Sequence, residues 1–536
     1  SSSSPLARVG GALGARCSVP GRSVPPLLTM ARQAPQLPSA LGSSYAIQDA
    51  DYTWHDGETP SARRGAVQVA VVCTPHSGHM LPVLHIAAEL TRSGHRVTVY
   101  TADYAVRDFE KKVRQAGAAI HGLDMGGLTE EAAQQRAKAG KRIIFLVIKE
   151  AMTKPLREAL QADRPSVVVS DFATWAGMEV AEELGIPLVI NFPGPLALAR
   201  DVLGLPSPST AWSFCGFHFA RNSLSPFSMA LFANINQMGN FTRILRKHMA
   251  AGALVLVQTI WDLDAPQPLY PNIVVTGPVL PAATDLRQRL AKDHGELYRF
   301  LQAAGPEGVV YVSTGSLAEL HKWQVEALYH GLKKTGARTV WSLKEKQQAF
   351  LPVRDDPDFY ISKWTPQAEL MQDSAVRCVI THCGWGGTLE CMTAGKPVVC
   401  IPFFGDQPTN ARLLQRAGAG ELIGKIPNGT EGSQNPYKEG DFTPDTVAAA
   451  VGKVVGSPSY RDAVARMTRA SRACGGAGMA VQQIEWAAWY GTGHLRSEAF
   501  LAVSGTSLWS AAALGAAGLA AAVGLLACAY ARTLRR

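Results

Sequence analysis

The densest chemistry in the chain lies between Trp364 and Gln407. A strand-like run ending at Thr381 meets His382, Cys383, Gly384, Trp385, Gly386 and Gly387, and a helical pattern begins at Thr388. A glycine-rich strand-to-helix turn presents unpaired backbone N–H groups and the positive end of a helix dipole, which suits a phosphate. His382 at the strand end can add a hydrogen bond to the same anion. Glu390, on the first helical turn, suits ribose hydroxyls, as acidic residues do at nucleotide sites. Trp364, before Pro366, offers a face for a base. Asp406 and Gln407, after the next strand, are paired polar groups suited to sugar hydroxyls.

These groups need a scaffold, and the pattern supplies two. Val67–Cys73 is a continuous apolar run of the kind buried in parallel sheets. A turn and a helical spacing from His79 to Ser93 follow it, ending at Gly94, and the next strand is Arg96–Tyr100. Further strands are expected at Ser166–Ser170, Pro187–Asn191, Leu254–Gln258 and Ile273–Val275, with a helix at Trp175–Leu184. A second alternation has strands at Val309–Ser313, Arg338–Ser342, Phe359–Ser362, Cys378–Thr381 and Val398–Ile401. Its helices are expected at 321–336, 386–395 and 407–417. Two doubly wound α/β halves imply a cleft between them. The expected divisions are a disordered leader or targeting segment at 1–65, a first α/β domain at 66–276, a linker at 277–308 and a second α/β domain at 309–490.

With 536 residues, 47% apolar and 18% charged, the chain is too apolar for disorder. A mean hydropathy of +0.02 is too low for a multi-span membrane protein. The net charge of +9 first suggests a polyanion partner. However, residues 1–65 hold six Arg against four acids, and residues 532–536 hold three Arg, so more than half of that charge sits in two short ends. Nucleic acid is therefore not an expected partner. Nine Cys without a C-x-x-C pair read as free buried thiols, with no zinc framework. Leu508–Ala531 is an uncharged 24-residue stretch followed by Arg532, Arg535 and Arg536. It reads as one transmembrane helix with a basic flank. The Arg-containing, Ser/Ala/Pro-rich start resembles a transit peptide in composition. It also fits an unstructured extension, or upstream sequence ahead of a start at Met30.

The segment resembles the signature of the UDP-glycosyltransferases, W-x-P-Q … T-H-C-G-W-x-x-x-x-E … G-x-P … P-x-x-x-D-Q. Trp364, Pro366, Gln367, Thr381, His382, Cys383, Gly384, Trp385, Glu390, Gly395, Pro397, Pro402, Asp406 and Gln407 fit it. Val310–Ser316 is similar to the family's first donor-domain turn, and Pro75–Pro82 to its first acceptor-domain turn. The resemblance implies a GT-B fold, with two Rossmann-like domains facing a cleft. It implies that Trp364 stacks on uracil and that Gln367 and Glu390 contact the ribose. By the same resemblance, Ser316, His382 and the turn of Gly384, Trp385, Gly386, Gly387 and Thr388 hold the diphosphate. Asp406 and Gln407 would hold the sugar. His79 would be the general base, oriented by Asp171.

The chain departs from the family where side-chain donors often follow the Trp: Gly386 and Gly387 leave only backbone there. Asp373 and Ser374 stand where His-Pro is common, and Thr314 replaces an aromatic. Without the family, Asp171 could simply cap the following helix, and His79 would read as a structural turn residue.

The expected activity is inverting, metal-independent transfer of a hexose, glucose first, from a UDP-sugar to a hydroxyl of a small lipophilic acceptor. No cofactor or divalent ion is expected, because helix-start donors would carry the leaving charge. Asp355, Asp356 and Asp358 read as a solvated acidic loop and not as a metal-binding D-x-D. The alternatives are a sterol or lipid glycosyltransferase, a UDP-glucuronosyltransferase, or a non-catalytic membrane-tethered binding protein. The expected location is the endoplasmic reticulum or another endomembrane, with a plastid or mitochondrial envelope as the alternative.

Overall fold

The computed structural model describes residues 65–140, 142–196, 244–267, 269–281, 286–424 and 435–497. The expected leader, most of the 192–250 stretch and the apolar segment 508–531 lie outside the described residues. Among the described residues, no helix is long and apolar enough to cross a membrane.

The first sheet has seven strands: β1 (Gln68–Val72), β2 (Arg96–Ala102), β3 (Ala119–Leu123), β4 (Val167–Asp171), β5 (Leu188–Phe192), β6 (Leu254–Val257) and β7 (Ile273–Val275). Their order is β3-β2-β1-β4-β5-β6-β7, and every pairing is parallel. The second sheet has six: β8 (Val309–Ser313), β9 (Arg338–Ser342), β10 (Phe359–Ser362), β11 (Val376–Thr381), β12 (Val398–Cys400) and β13 (Gly420–Leu422). It is also parallel throughout, in the order β10-β9-β8-β11-β12-β13.

Both central strand pairs are Val-rich because both faces of each sheet are covered. Val69, Val71, Val167 and Val169 are fully buried on one face, and Ala70, Val72 and Val168 on the other. In each sheet the chain winds outward in one direction, then crosses to the other side of its first strand. The crossing points lie between β1 and β4 and between β8 and β11. At such a switch point the connecting loops diverge and leave a crevice beyond the strand C-termini. In register, Val72 lies beside Ser170 and Ser313 beside Thr381, so the residues that follow these four line the two crevices.

The Gly476–Tyr490 helix crosses back to the first domain. Its Ala480, Val481, Ile484 and Ala487 pack into the first sheet's core, and His95 Nε2 meets Glu485 Oε1 at 2.8 Å. The first domain is thus completed by the far end of the described chain. The 277–308 connection is also more structured than a linker. Helices Leu286–Asp293 and Gly295–Gln302 bury Leu290, Leu297 and Leu301 in the second domain's core.

Candidate active site

His79 sits in the first turn of the Ser77–Arg92 helix, directly after β1. Asp171 ends β4 and is fully buried. The switch point brings them together: His79 Nδ1 lies 3.0 Å from Asp171 Oδ2 and 3.2 Å from Oδ1. The carboxylate is held in turn by the Ala173 N–H (3.0 Å) and the Thr174 hydroxyl (3.3 Å). Asp171 therefore both organises the turn before the next helix and faces the imidazole. Burial pulls the His79 pKa down, but the charge and hydrogen bond of Asp171, with a contribution from Asp406, raise it above its ordinary value. Asp406 belongs to the second domain, so the charge that acts on His79 comes from both sides of the cleft. The ring of His79 stacks on Phe172 at 5.3 Å and meets the edge of Phe145 at 5.3 Å. The neighbouring histidine on the same helix, His85, has a structural partner: its Nδ1 is 2.9 Å from the Val279 carbonyl.

On the opposite crevice, β11 ends at Thr381 and the Trp385–Thr393 helix starts after Gly384. Cys383 makes the corner with φ of +64°, a conformation costly for a residue with a Cβ. Two hydrogen bonds hold it there: its N–H donates to Thr381 Oγ1 (3.2 Å) and its carbonyl accepts from Asn410 Nδ2 (2.9 Å). The helix has no side-chain cap. Thr388 N–H bonds the Gly384 carbonyl at 2.9 Å. The N–H groups of residues 385, 386 and 387 are left without helical partners.

His382 lies against this turn, wedged between two glycines. A Cβ at Gly315 would come within 2.6 Å of the imidazole, and one at Gly384 within 2.5 Å of Nε2. Gly315 also has φ of +72°, so both its space and its backbone exclude a side chain. Burial pushes His382 down to a pKa of about 4, against a smaller upward pull from the Ser313 backbone. Ser316 is exposed in the turn after β8.

Gln367 and Glu390 form a preset pair. Gln367 Nε2 donates to Glu390 Oε2 (2.5 Å), while its Oε1 accepts from the Tyr311 hydroxyl (3.0 Å). Tyr311 also meets Thr365 Oγ1 at 2.9 Å. Burial raises the Glu390 pKa, with an opposing pull from the Gln367 hydrogen bond. Trp364 is 64% exposed at the rim. Asp406 stands at the N-cap position of the Gln407–Arg416 helix without a side-chain capping bond, and accepts from Asn410 Nδ2 at 2.7 Å.

Three side chains sit differently from the sequence expectation. Trp385 turns its indole away from the donor turn: Nε1 donates to the Gln258 carbonyl of the first domain at 2.7 Å, and the ring is buried. It offers the turn only its backbone N–H and otherwise joins the two domains. Thr388 is fully buried with its N–H already used, because it is the first residue able to bond back four positions. Gln407 is buried, and its Oε1 accepts from the N–H groups of Phe403 (2.9 Å) and Phe404 (3.2 Å), leaving only its amide N–H₂ to donate. The acidic turn also differs from a solvated loop. Asp356 is buried and accepts from Tyr329 (2.5 Å) and Lys333 (3.2 Å), while Asp358 pairs with Lys333 at 2.7 Å.

Other residues of the site carried no sequence signal of their own. Asn410 could have been found from its i+4 spacing to Asp406 on one helix. His76 and Glu130, 54 positions apart, meet at 3.2 Å beside His79, and no spacing rule connects them.

Two parallel Rossmann-like sheets with facing crevices, one ending in a His–Asp pair and the other in an uncapped helix start, make up the GT-B arrangement. The model for the family described as "UDP-glucoronosyl and UDP-glucosyl transferase" matches residues 217–502, more than half of the chain, which therefore belongs to that family and is a UDP-glycosyltransferase. A "Glycosyl transferase 4-like domain" model matches residues 78–225. The chain is similar to UDP-glycosyltransferase 84A4 of Arabidopsis thaliana, at 25% identity over 64% of this chain and 79% of the relative. It is similar to gallate 1-beta-glucosyltransferase of Quercus robur, at 25% identity over 65% of this chain and 75% of the relative. Its fold matches that of Os79 from O. sativa, solved in complex with U2F and trichothecene. There the TM-score is 0.61 and the identity 21%, over 78% of this chain and 99% of that one.

Proposed function

We propose that the enzyme moves a hexose, glucose first among the candidates, from its UDP-sugar to a hydroxyl of a small lipophilic acceptor, with inversion and without a metal. The observation that carries this reading is the His79–Asp171 pair, set at one switch point and within electrostatic reach of Asp406 on the other. His79 Nδ1–H donates to Asp171, which leaves Nε2 unprotonated to take the acceptor's proton as the oxygen attacks the anomeric carbon. Asp171 fixes the tautomer and stabilises the imidazolium that forms. The bond from that carbon to the diphosphate breaks on the opposite side. The N–H groups at 385–387 and His382 take up the charge developing on the leaving UDP. Glu390 and Gln367 hold the ribose, Trp364 stacks on uracil, and Asp406 with the Gln407 amide holds the sugar. Phe145 and Phe172 beside His79 favour a lipophilic acceptor.

Residues 508–531 and their basic flank support a single membrane anchor, with the endoplasmic reticulum or another endomembrane as the place. Alkaline extraction of membranes tests this point: full-length chain released by carbonate would refute it.

The chemistry is tested by running UDP-α-glucose and UDP-α-glucuronate against a phenol in excess EDTA and reading the product anomer by NMR. A β-glucoside formed at an undiminished rate is the expected result. An α-linked product, or activity lost in EDTA and restored by Mn²⁺, overturns the mechanism. A rate higher with glucuronate replaces the sugar but not the mechanism.

A further inference from the structure

We propose that Glu130, held by His76 beside His79, is the docking point for a second hydroxyl of the acceptor, so that the enzyme selects aromatic acceptors with hydroxyls at both ends of one ring. This rests on the reading of His79 as the base.

Glu130 opens the Glu130–Ala139 helix beyond the end of β3. Its side chain and that of His76 are each 30% exposed, so the pair is open to a ligand. The two carboxylate oxygens are unequally used. Oε1 faces His76 Nε2 at 3.2 Å and accepts from Gln134 Nε2 at 2.9 Å. Oε2 has Tyr104 Oη at 3.5 Å, long for a hydroxyl hydrogen bond. A carboxylate offers about four lone-pair sites, so Oε2 has room for a donor from the acceptor.

His76 is a positioning residue in this arrangement. Its Nδ1 accepts from the Thr74 hydroxyl at 2.9 Å, which leaves its Nε2–H to donate to Glu130. Burial lowers the His76 pKa, against the upward pull of Glu130, so the ring is neutral at neutral pH and supplies no counter-charge to the carboxylate. The carboxylate therefore favours a neutral donor such as a hydroxyl over an acidic group.

The rings of His76 and His79 are 6.2 Å apart, and Glu130 Oε1 is 3.2 Å from His76 Nε2, which bounds the separation of the two polar ends. We match to that bound one benzene ring with a hydrogen bond at each end. The wall is aromatic as well: Phe145 meets both imidazoles edge-on, at 5.8 and 5.3 Å.

The test compares hydroquinone with 4-methoxyphenol, using full-length enzyme and the UDP-sugar it prefers. The two share the attacked phenol and differ in whether the far oxygen can donate. A hydrogen bond to a charged group predicts a preference for hydroquinone of about tenfold or more in kcat/KM. In Glu130→Gln the amide can donate to the ether oxygen, so the preference should fall below about threefold, with the donor KM unchanged. Equal use of the two phenols by the wild type, or an unchanged preference in Glu130→Gln, overturns the proposal. Undiminished transfer by His79→Ala would overturn the base assignment instead, and the phenol ratio would then decide the Glu130 site separately.

Discussion

The two crevices share a topology and use it in opposite ways. At the β1/β4 switch point the chain places side chains: an imidazole, a buried carboxylate and aromatic walls. At the β8/β11 switch point it removes them, with Gly315 and Gly384 against one neutral imidazole and Gly386 and Gly387 in an uncapped helix start. On the proposed mechanism the first edge moves a proton, which needs a titratable group whose pKa its neighbours can set. The second holds an anion, which backbone N–H groups do at no cost in side-chain ordering. The same strand order thus serves two chemistries, because the loops and not the sheets carry them.

The strongest way to break this comparison is His79→Ala. It should lower kcat by about 10³-fold, with the donor KM within about twofold of wild type; steady-state kinetics over both substrates gives both numbers. Asp171→Asn should have a smaller effect, about 10²-fold in kcat, the lower end of what general-base assistance contributes. It should also move the pH profile. A base works in its neutral form, so activity falls as pH drops through the His79 pKa. Asp171 holds that pKa up, so its loss should shift the acidic limb of kcat/KM to lower pH. An upward shift would contradict the assignment. The smallest effect sharpens the second edge. Nothing lies within 4 Å of a Cβ built at Gly386, and the nearest atom at Gly387 is 3.7 Å away. Gly386→Asn with Gly387→Ser should therefore fit and add donors, tightening UDP by about 3- to 10-fold. Weaker binding in calorimetry would show that the turn needs its bare backbone.

The two edges were also unequally legible. The donor turn is contiguous, so residue types alone exposed its strand, corner and helix. His79 and Asp171 lie 92 positions apart. Their meeting follows from the strand order, which the sequence conveyed only through family resemblance. The Val-rich central strands were legible because both of their faces are covered. Edge strand β3 was not: its exposed residues and its His121–Gly122 pair break both the apolar run and the alternation. The directions of Trp385, Thr388 and Gln407 were also out of reach. A motif gives a position, while packing against Gln258, the helix interior and the Phe403–Phe404 backbone decides where each side chain points.

Calorimetric UDP binding to His79→Ala and His382→Ala tests the division of labour most directly. His79→Ala should bind UDP within about twofold of wild type, and His382→Ala at least about tenfold more weakly, the loss expected when a hydrogen bond to a charged group is removed. The reverse pattern, with UDP affinity lost in His79→Ala and kept in His382→Ala, would contradict the account.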